Sequence, residues 1–341
     1  MKVLYAIQGT GNGHLSRAQD IVPILKSICD LDILVSGNQS QINTEFSIDY
    51  SLRGMSFLAS KSGGVDIAKT ILNTNIVQFT NEIKQFPAKK YDLIISDFEP
   101  VSAWSARYHG VRSVELSHQA AVNHTSSPKP VEKSRLGTFI LSNYCPSRQK
   151  YGFHFEKYAE GIFTPVIREK IRALNPVSKD YYTVYLPAYH DDIIIQNLCC
   201  YDVEWQVFSK YTTYDYRVNN VWIKPIDQSV FTKSLKDCKG VLCGAGFELP
   251  AEALFLGKKL MVIPMAGQYE QLCNAECLRL MGAAIIDKLC LLNKRVVTSW
   301  LQSKEIIEVH YPNQTREILS SIIEKNEVVN RELVPDFAVN A

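Results

Sequence analysis

The sequence lacks an excess of charge of either sign: 37 Lys and Arg stand against 35 Asp and Glu, a formal net charge of +2 over 341 residues. That balance excludes a polybasic nucleic-acid binder, which needs a concentrated positive face, and it excludes an acidic solvating tail. No apolar run approaches the ~18 residues that a membrane span needs. The opening "MKVLYAIQGTG" runs from a short apolar stretch straight into glycines, so a buried strand is expected there and not a signal peptide. No CxxC pair occurs among the cysteines at 29, 145, 199, 200, 238, 243, 273, 277 and 290. Cys273 and Cys277 share a helical face, but no histidine lies near enough in sequence to complete a zinc set. Reduced core cysteines in a cytosolic protein are expected, with no metal site.

What is present is an ordinary globular composition, 46% hydrophobic and 21% charged. At roughly 150 residues per domain the length predicts two domains. Short apolar strands alternate with amphipathic segments of helix length, the pattern of an α/β protein built on parallel sheets. Strands are expected at Val3–Ile7, Leu31–Ser36, Tyr91–Asp97 and Arg112–Ser117, with helices over Ser16–Ser27 and Pro100–Tyr108. Residues 120–150 form a polar, Pro- and Ser-bearing stretch with a slight basic excess, read as a mobile loop or a surface loop-helix element. The strand pattern restarts at Tyr181–Pro187, after the turn-rich "LNPVSKD". Two doubly wound domains, 1–172 and 181–330, are therefore expected to face each other across a cleft. Ligands should bind at the C-terminal ends of the strands.

The first loop with chemical promise is "IQGTGNGHLSR", Ile7–Arg17. Gly9, Gly11 and Gly13 allow a tight turn and bring N–H groups close to an oxygen-rich ligand. A dinucleotide fingerprint fails by one position, because His14 stands where its third glycine belongs. The second strand also ends in Val35-Ser36-Gly37, without the acidic residue that would hold a ribose. His14 enters the following helix where its imidazole can face the cleft, as a general base for a hydroxyl would. Packing within its own loop is the competing role.

The second loop spans Gly240–Ala284. A strand ends in Gly244-Ala245-Gly246, and a helix starts near Leu249 with Pro250 in its first turn, where a missing N–H costs nothing. Glycines before a helix N-terminus make a diphosphate site. Glu252 can accept hydrogen bonds from a sugar diol or simply complement the helix dipole. After the strand Lys259–Pro264, Glu270, Gln271 and Asn274 crowd one helix start, more hydrogen-bonding groups than a cap uses.

In these residues the chain resembles nucleotide-sugar glycosyltransferases of the GT-B fold. The closest types are the lipid-linked N-acetylglucosaminyltransferase of peptidoglycan synthesis and the bacterial and plant UDP-glycosyltransferases. The specific part of the resemblance is Ile7–Ala18 and Val241–Gly282, occurring in that order. It implies that Gly244 and Gly246, with N–H groups around Phe247, hold the donor diphosphate, and that Glu252 takes the ribose hydroxyls. It further implies that Glu270 and Gln271 touch the transferred sugar and that the backbone at Ile226 reads the base. His14 falls where many inverting members place the general base. Leu249 stands where the family often has a phosphate-binding Thr, which leaves the phosphates more dependent on backbone. The plant Trp- and His-bearing signature is absent.

Beyond the resemblance, Asp97 ends a buried strand on the cleft side and can orient His14 as a dyad, or cap the next helix. His118 and Gln119 end another strand on the same side and, with Gly11 and Gly13, are candidate acceptor contacts. Lys210 is a candidate for reaching the diphosphate. The Tyr-rich runs read as packing. The expected activity is transfer of a sugar, with a UDP-sugar the expected donor, to a hydroxyl of a small molecule, glycan or lipid. No cofactor is expected, since the nucleotide-sugar is a co-substrate. The expected location is cytoplasmic, with peripheral membrane contact through residues 129–150 if the acceptor is a lipid. A nucleotide-sugar epimerase or hydrolase on the same scaffold, or a non-catalytic nucleotide-sugar binder, are the alternatives.

Overall fold

A computed structural model describes residues 1–10, 12–37, 44–55, 75–132 and 134–332. The first domain is built on β1 (Lys2–Gln8), α1 (Asn12–Ile28), β2 (Asp30–Ser36), β3 (Tyr50–Leu52), α2 (Ile76–Gln85), β4 (Leu93–Asp97), α3 (Pro100–His109), β5 (Ser113–Ser117), α4 (His118–Asn123), α5 (Arg135–Asn143), β6 (Gln149–Phe153), β7 (Ile162–Phe163) and α6 (Glu169–Arg172). Its sheet runs β3-β2-β1-β4-β5-β6-β7, with every pairing parallel. Parallel strands buried on both faces have no solvent side to alternate toward, which is why β1 and β4 read as unbroken apolar runs.

The second domain follows with β8 (Tyr181–Tyr185), α7 (Asp191–Leu198), β9 (Glu204–Ser209), β10 (Tyr216–Val218), β11 (Val221–Pro225), α8 (Gln228–Asp237), β12 (Gly240–Gly244), α9 (Glu248–Phe255), β13 (Lys259–Ile263), α10 (Tyr269–Leu280), β14 (Ala284–Ile285), α11 (Lys294–Gln302) and α12 (Thr315–Glu332). Its sheet runs β10-β11-β9-β8-β12-β13-β14, parallel except for the β10–β11 pair. Strand order reverses at β1/β4 in one sheet and at β8/β12 in the other, and a crevice opens at such points. The last helix returns to the first domain: Ile318, Leu319 and Ile322 share a core with Ile21 and Leu25, and Arg112 donates to the Asn326 carbonyl at 2.5 Å.

Within residues 120–132 and 134–150, read from the sequence as a mobile loop or a loop-helix element, the structure has the end of α4 and all of α5. Ser117 caps α4 by accepting from the Ala120 N–H, and Leu141, Tyr144 and Cys145 bury against Tyr269 and Cys273 of the second domain. Gly137 makes that approach feasible, since a Cβ there would meet the Tyr269 Cβ at 2.5 Å. The nine cysteines are unpaired. Among the described residues no helix is long and apolar enough to cross a membrane.

Candidate active site

A cleft of about 1270 Å³ lies between the C-terminal ends of the two sheets and takes walls from both domains. Asp97, the last residue of β4, is fully buried at its edge. Its Oδ1 lies 2.9 Å from His14 Nδ1, and its two oxygens accept from Arg17 Nη2 at 2.7 and 2.8 Å. The competing role of helix cap falls instead to Glu99, whose carboxylate accepts from the Val101 and Ser102 N–H groups. Burial pushes the Asp97 carboxyl up, but Arg17 and His14 outweigh burial and hold it below the usual carboxylate range. With the Nδ1 proton facing Asp97, His14 turns the Nε2 lone pair toward the cleft, an assignment made from its partners. Gln119 stands beside it, its amide nitrogen 3.4 Å from His14 Nε2 and 2.9 Å from Glu270 Oε2.

Among the described residues, two arginine–glutamate pairs cross between the domains. Arg17 donates through Nη1 to Glu248 Oε1 in the first turn of α9. The approach is close because residue 13 is glycine: a Cβ there would sit 2.7 Å from Glu248 Oε2. One turn further along α9, Glu252 accepts from Arg168 at both oxygens, from Nε at 2.5 Å and from Nη2 at 2.7 Å. Glu252 therefore lines the cleft already oriented by a guanidinium from the first domain.

The expected donor residues gather on the opposite wall. Gly244, Gly246, Phe247, Ile226, Glu270 and Gln271 all line the cleft, as does Lys210. A Cβ at Gly246 would meet nothing within 4 Å, so the space before α9 is open. Burial raises the Glu270 carboxyl, an effect that Gln119 and His14 partly offset. Gln271 uses its Oε1 to accept the Met265 N–H at 2.9 Å, which leaves its amide nitrogen for a ligand. Gly11 lies outside the described residues.

Three expectations change. Asn274 is fully buried and packs the core, donating to the Ala245 carbonyl at 3.1 Å with its Oδ1 toward His118. It is not a sugar contact. His118 lines the cleft, but its Nδ1 faces the Phe153 carbonyl and its Nε2 faces Asn274, both at 2.8 Å. Its ring also stacks on Phe247 with centroids 3.8 Å apart, and burial pushes its pKa down to about 3 against the opposing effect of these two hydrogen bonds, so its contacts tie the two domains together. Of the Tyr-rich runs, Tyr182 packs in the core as expected, whereas Tyr214 is exposed.

Sequence reasoning missed Arg17, Arg168 and Glu248. Arg17 left a signal, a cation on the α1 face that also carries Ala18, Ile21 and Leu25, buried residues of the core. The others lie far from their partners and left none. Among the described residues, no cluster of three or more His, Cys, Asp or Glu could hold a metal ion.

Comparison with known proteins agrees with this architecture. MurG of Acinetobacter baumannii superposes with a TM-score of 0.56 at 14% identity, covering 95% of this chain and 100% of that one. The spinosyn forosaminyltransferase SpnP gives 0.57 at 12% identity, over 96% and 95% of the two chains. UGT89C1 of Arabidopsis thaliana, solved with UDP, gives 0.56 at 13% identity, over 96% and 94%. At such identities these likenesses establish the fold, the GT-B pairing of two parallel-sheet α/β domains. No curated protein sequence matches the chain. The sequence model for glycosyl transferase family 1 matches residues 1–304, and the chain belongs to that family.

Proposed function

We propose that the protein transfers a glycosyl group from a UDP-sugar to a hydroxyl acceptor with inversion at the anomeric carbon, using His14 as general base. The observation that carries this reading is the His14–Asp97 pair, set in the cleft wall with Gln119 beside the Nε2 atom. In the proposed step His14 Nε2 takes the acceptor hydroxyl proton as the oxygen attacks the anomeric carbon. The bond from that carbon to the diphosphate oxygen breaks, and UDP leaves with the electron pair. Asp97 stabilises the imidazolium that forms. The N–H groups at the α9 N-terminus, around Gly246 and Phe247, meet the growing diphosphate charge, so these residues supply the stabilisation without a metal ligand set. Glu252 would take the ribose diol, Glu270 and Gln271 the sugar hydroxyls, and the Ile226 backbone the base. UGT89C1 has been solved with UDP, with quercetin and with UDP-L-rhamnose, which supports a nucleotide-sugar donor and a small hydroxyl-bearing acceptor.

A thermal-shift panel of nucleoside diphosphates and nucleotide sugars tests the reading. A UDP-sugar at 100 times its dissociation constant should stabilise the fold by about 2.7 kcal/mol. No stabilisation by any member of the panel would exclude a nucleotide-sugar enzyme.

One observation favours a lipid-linked acceptor. Val131, Leu136 and Phe139 are 97%, 51% and 65% exposed beside Arg135, and α5 also lines the cleft. Apolar side chains with a flanking cation suit a peripheral membrane contact. Co-sedimentation with anionic phospholipid vesicles, lost in Leu136→Ser/Phe139→Ser, tests it.

A further inference from the structure

Glu252 is 3% exposed, and burying a lone carboxylate is costly; its whole side chain is held by one cation. That cation, Arg168, belongs to the other domain and meets Glu252 as a two-toothed fork. A carboxylate oxygen has two lone pairs, so the fork uses one on each oxygen and leaves the second on each for another donor pair. Arg168 is itself held in place. It precedes α6, where the Glu169 N–H donates to Asp20 Oδ1 at 2.8 Å. Arg172 at the end of α6 donates to the Tyr311 and Pro312 carbonyls at 2.8 and 3.2 Å, and Ile167 and Ile171 are buried on either side. Asp20 lies on α1, the helix that also carries His14 and Arg17.

The geometry points to Arg168 as a positioning residue for the donor. It fixes the plane of the Glu252 carboxylate from outside the donor domain, so the ribose diol is registered to α1, the helix that carries His14. Donor affinity then depends on a residue that the donor domain does not contain. This inference rests on the ribose role proposed for Glu252, and it assigns the orientation of that carboxylate to a separate side chain. Arg168 donates nothing to the sugar or the diphosphate in this scheme. Its effect must pass through the ribose hydroxyls, and a ligand without them must be blind to it.

Isothermal titration of UDP and 2′,3′-dideoxy-UDP into the full chain and three variants reads this directly. The variants are Glu252→Gln, Arg168→Met and Arg168→Lys; the last keeps the charge and loses the fork. Arg168→Met should weaken UDP about tenfold, as loss of one oriented, charge-assisted hydrogen bond does, and Arg168→Lys should weaken it by less. Dideoxy-UDP should bind all four proteins alike. If Arg168→Met fails to fold, Arg168→Lys still gives the comparison. Glu252→Gln weakening UDP while neither Arg168 variant does would overturn the inference and leave the ribose role standing. Equal losses of UDP and dideoxy-UDP in the Arg168 variants would make Arg168 structural, which also overturns it. A wild-type protein indifferent to UDP, or Glu252→Gln binding UDP unchanged, would remove the ribose role and the inference together.

Discussion

Arg17 and Glu248, 231 residues apart in the chain, meet directly across the cleft. Arg17 is almost fully buried and is already held by Asp97 through its other terminal nitrogen, so one guanidinium joins the candidate base assembly to the first turn of α9. Asp97 and Glu248 outweigh the cost of its burial and keep it firmly protonated.

This contact makes Gly13 a clearance position. Gly13→Ala would place a methyl 2.7 Å from Glu248 Oε2 and force the carboxylate aside. A loss of about 1–3 kcal/mol is expected, as for overpacking elsewhere. Adding Glu248→Ala should recover most of the clash cost, so urea unfolding of the two single variants and the double variant should show strong coupling. Additive losses would mean that Gly13 is needed for its own backbone and not for Glu248.

Asp97 gives a prediction in pH. Its carboxyl is held below the usual range by Arg17 and His14 against the opposing effect of burial, so the folded value lies below the unfolded one. The stability it contributes is present above the unfolded value of about 3.9 and is lost as pH falls through the folded one. Asp97→Asn should cost about 3–5 kcal/mol at pH 7, the penalty for breaking a buried pair. The difference from wild type should shrink below about pH 4. A gap that stays constant down to pH 2 would show that the carboxylate charge is not what Arg17 needs.

The sequence exposed what is local and hid what is assembled. β1, β4, β12 and β13 are legible because parallel strands buried on both faces need unbroken apolar runs. β6, "QKYGF", was not, since it starts exposed and becomes buried only toward Gly152 and Phe153. His14 and the glycine loops stood out because departures from a known backbone pattern are visible residue by residue. Whether Asp97 or Glu99 caps α3 could not be read, as both are acids at suitable spacing; the buried Ser36 hydroxyl, which donates to Glu99 at 2.6 Å, contributes to the choice. Arg168 and Glu252 lie 84 residues apart, and nothing near either one marks its partner.

Glu270 should separate sugar from nucleotide. It lines the cleft next to Gln119 and His14, on the wall across from α1. Glu270→Ala should weaken binding of the UDP-sugar by about 1.5–3 kcal/mol, the range for a hydrogen bond to a charged group, and leave UDP nearly untouched. Calorimetry with both ligands decides the matter. Equal losses for both would assign Glu270 to the fold, through its hydrogen bond from Gln119.

His14→Ala tests the mechanism. The imidazole is oriented by Asp97 on one side, and Gln119 stands at its free nitrogen, so removing it should leave the donor wall intact. A general base contributes typically ~10²–10⁴-fold, and turnover should fall by that order. Donor affinity by calorimetry should hardly change, because the proposed donor contacts, from Ile226 to Gln271, all lie in the second domain. Single-turnover transfer to an acceptor found by product mass spectrometry is the decisive measurement, since it isolates chemistry from product release. A variant with near-normal chemistry would end the assignment of His14 as base and shift attention to Glu270, the carboxyl that burial raises and that shares Gln119 with His14. A variant that instead loses UDP would mean that the glycine loop of the first domain holds the nucleotide, which reverses the roles proposed for the two walls.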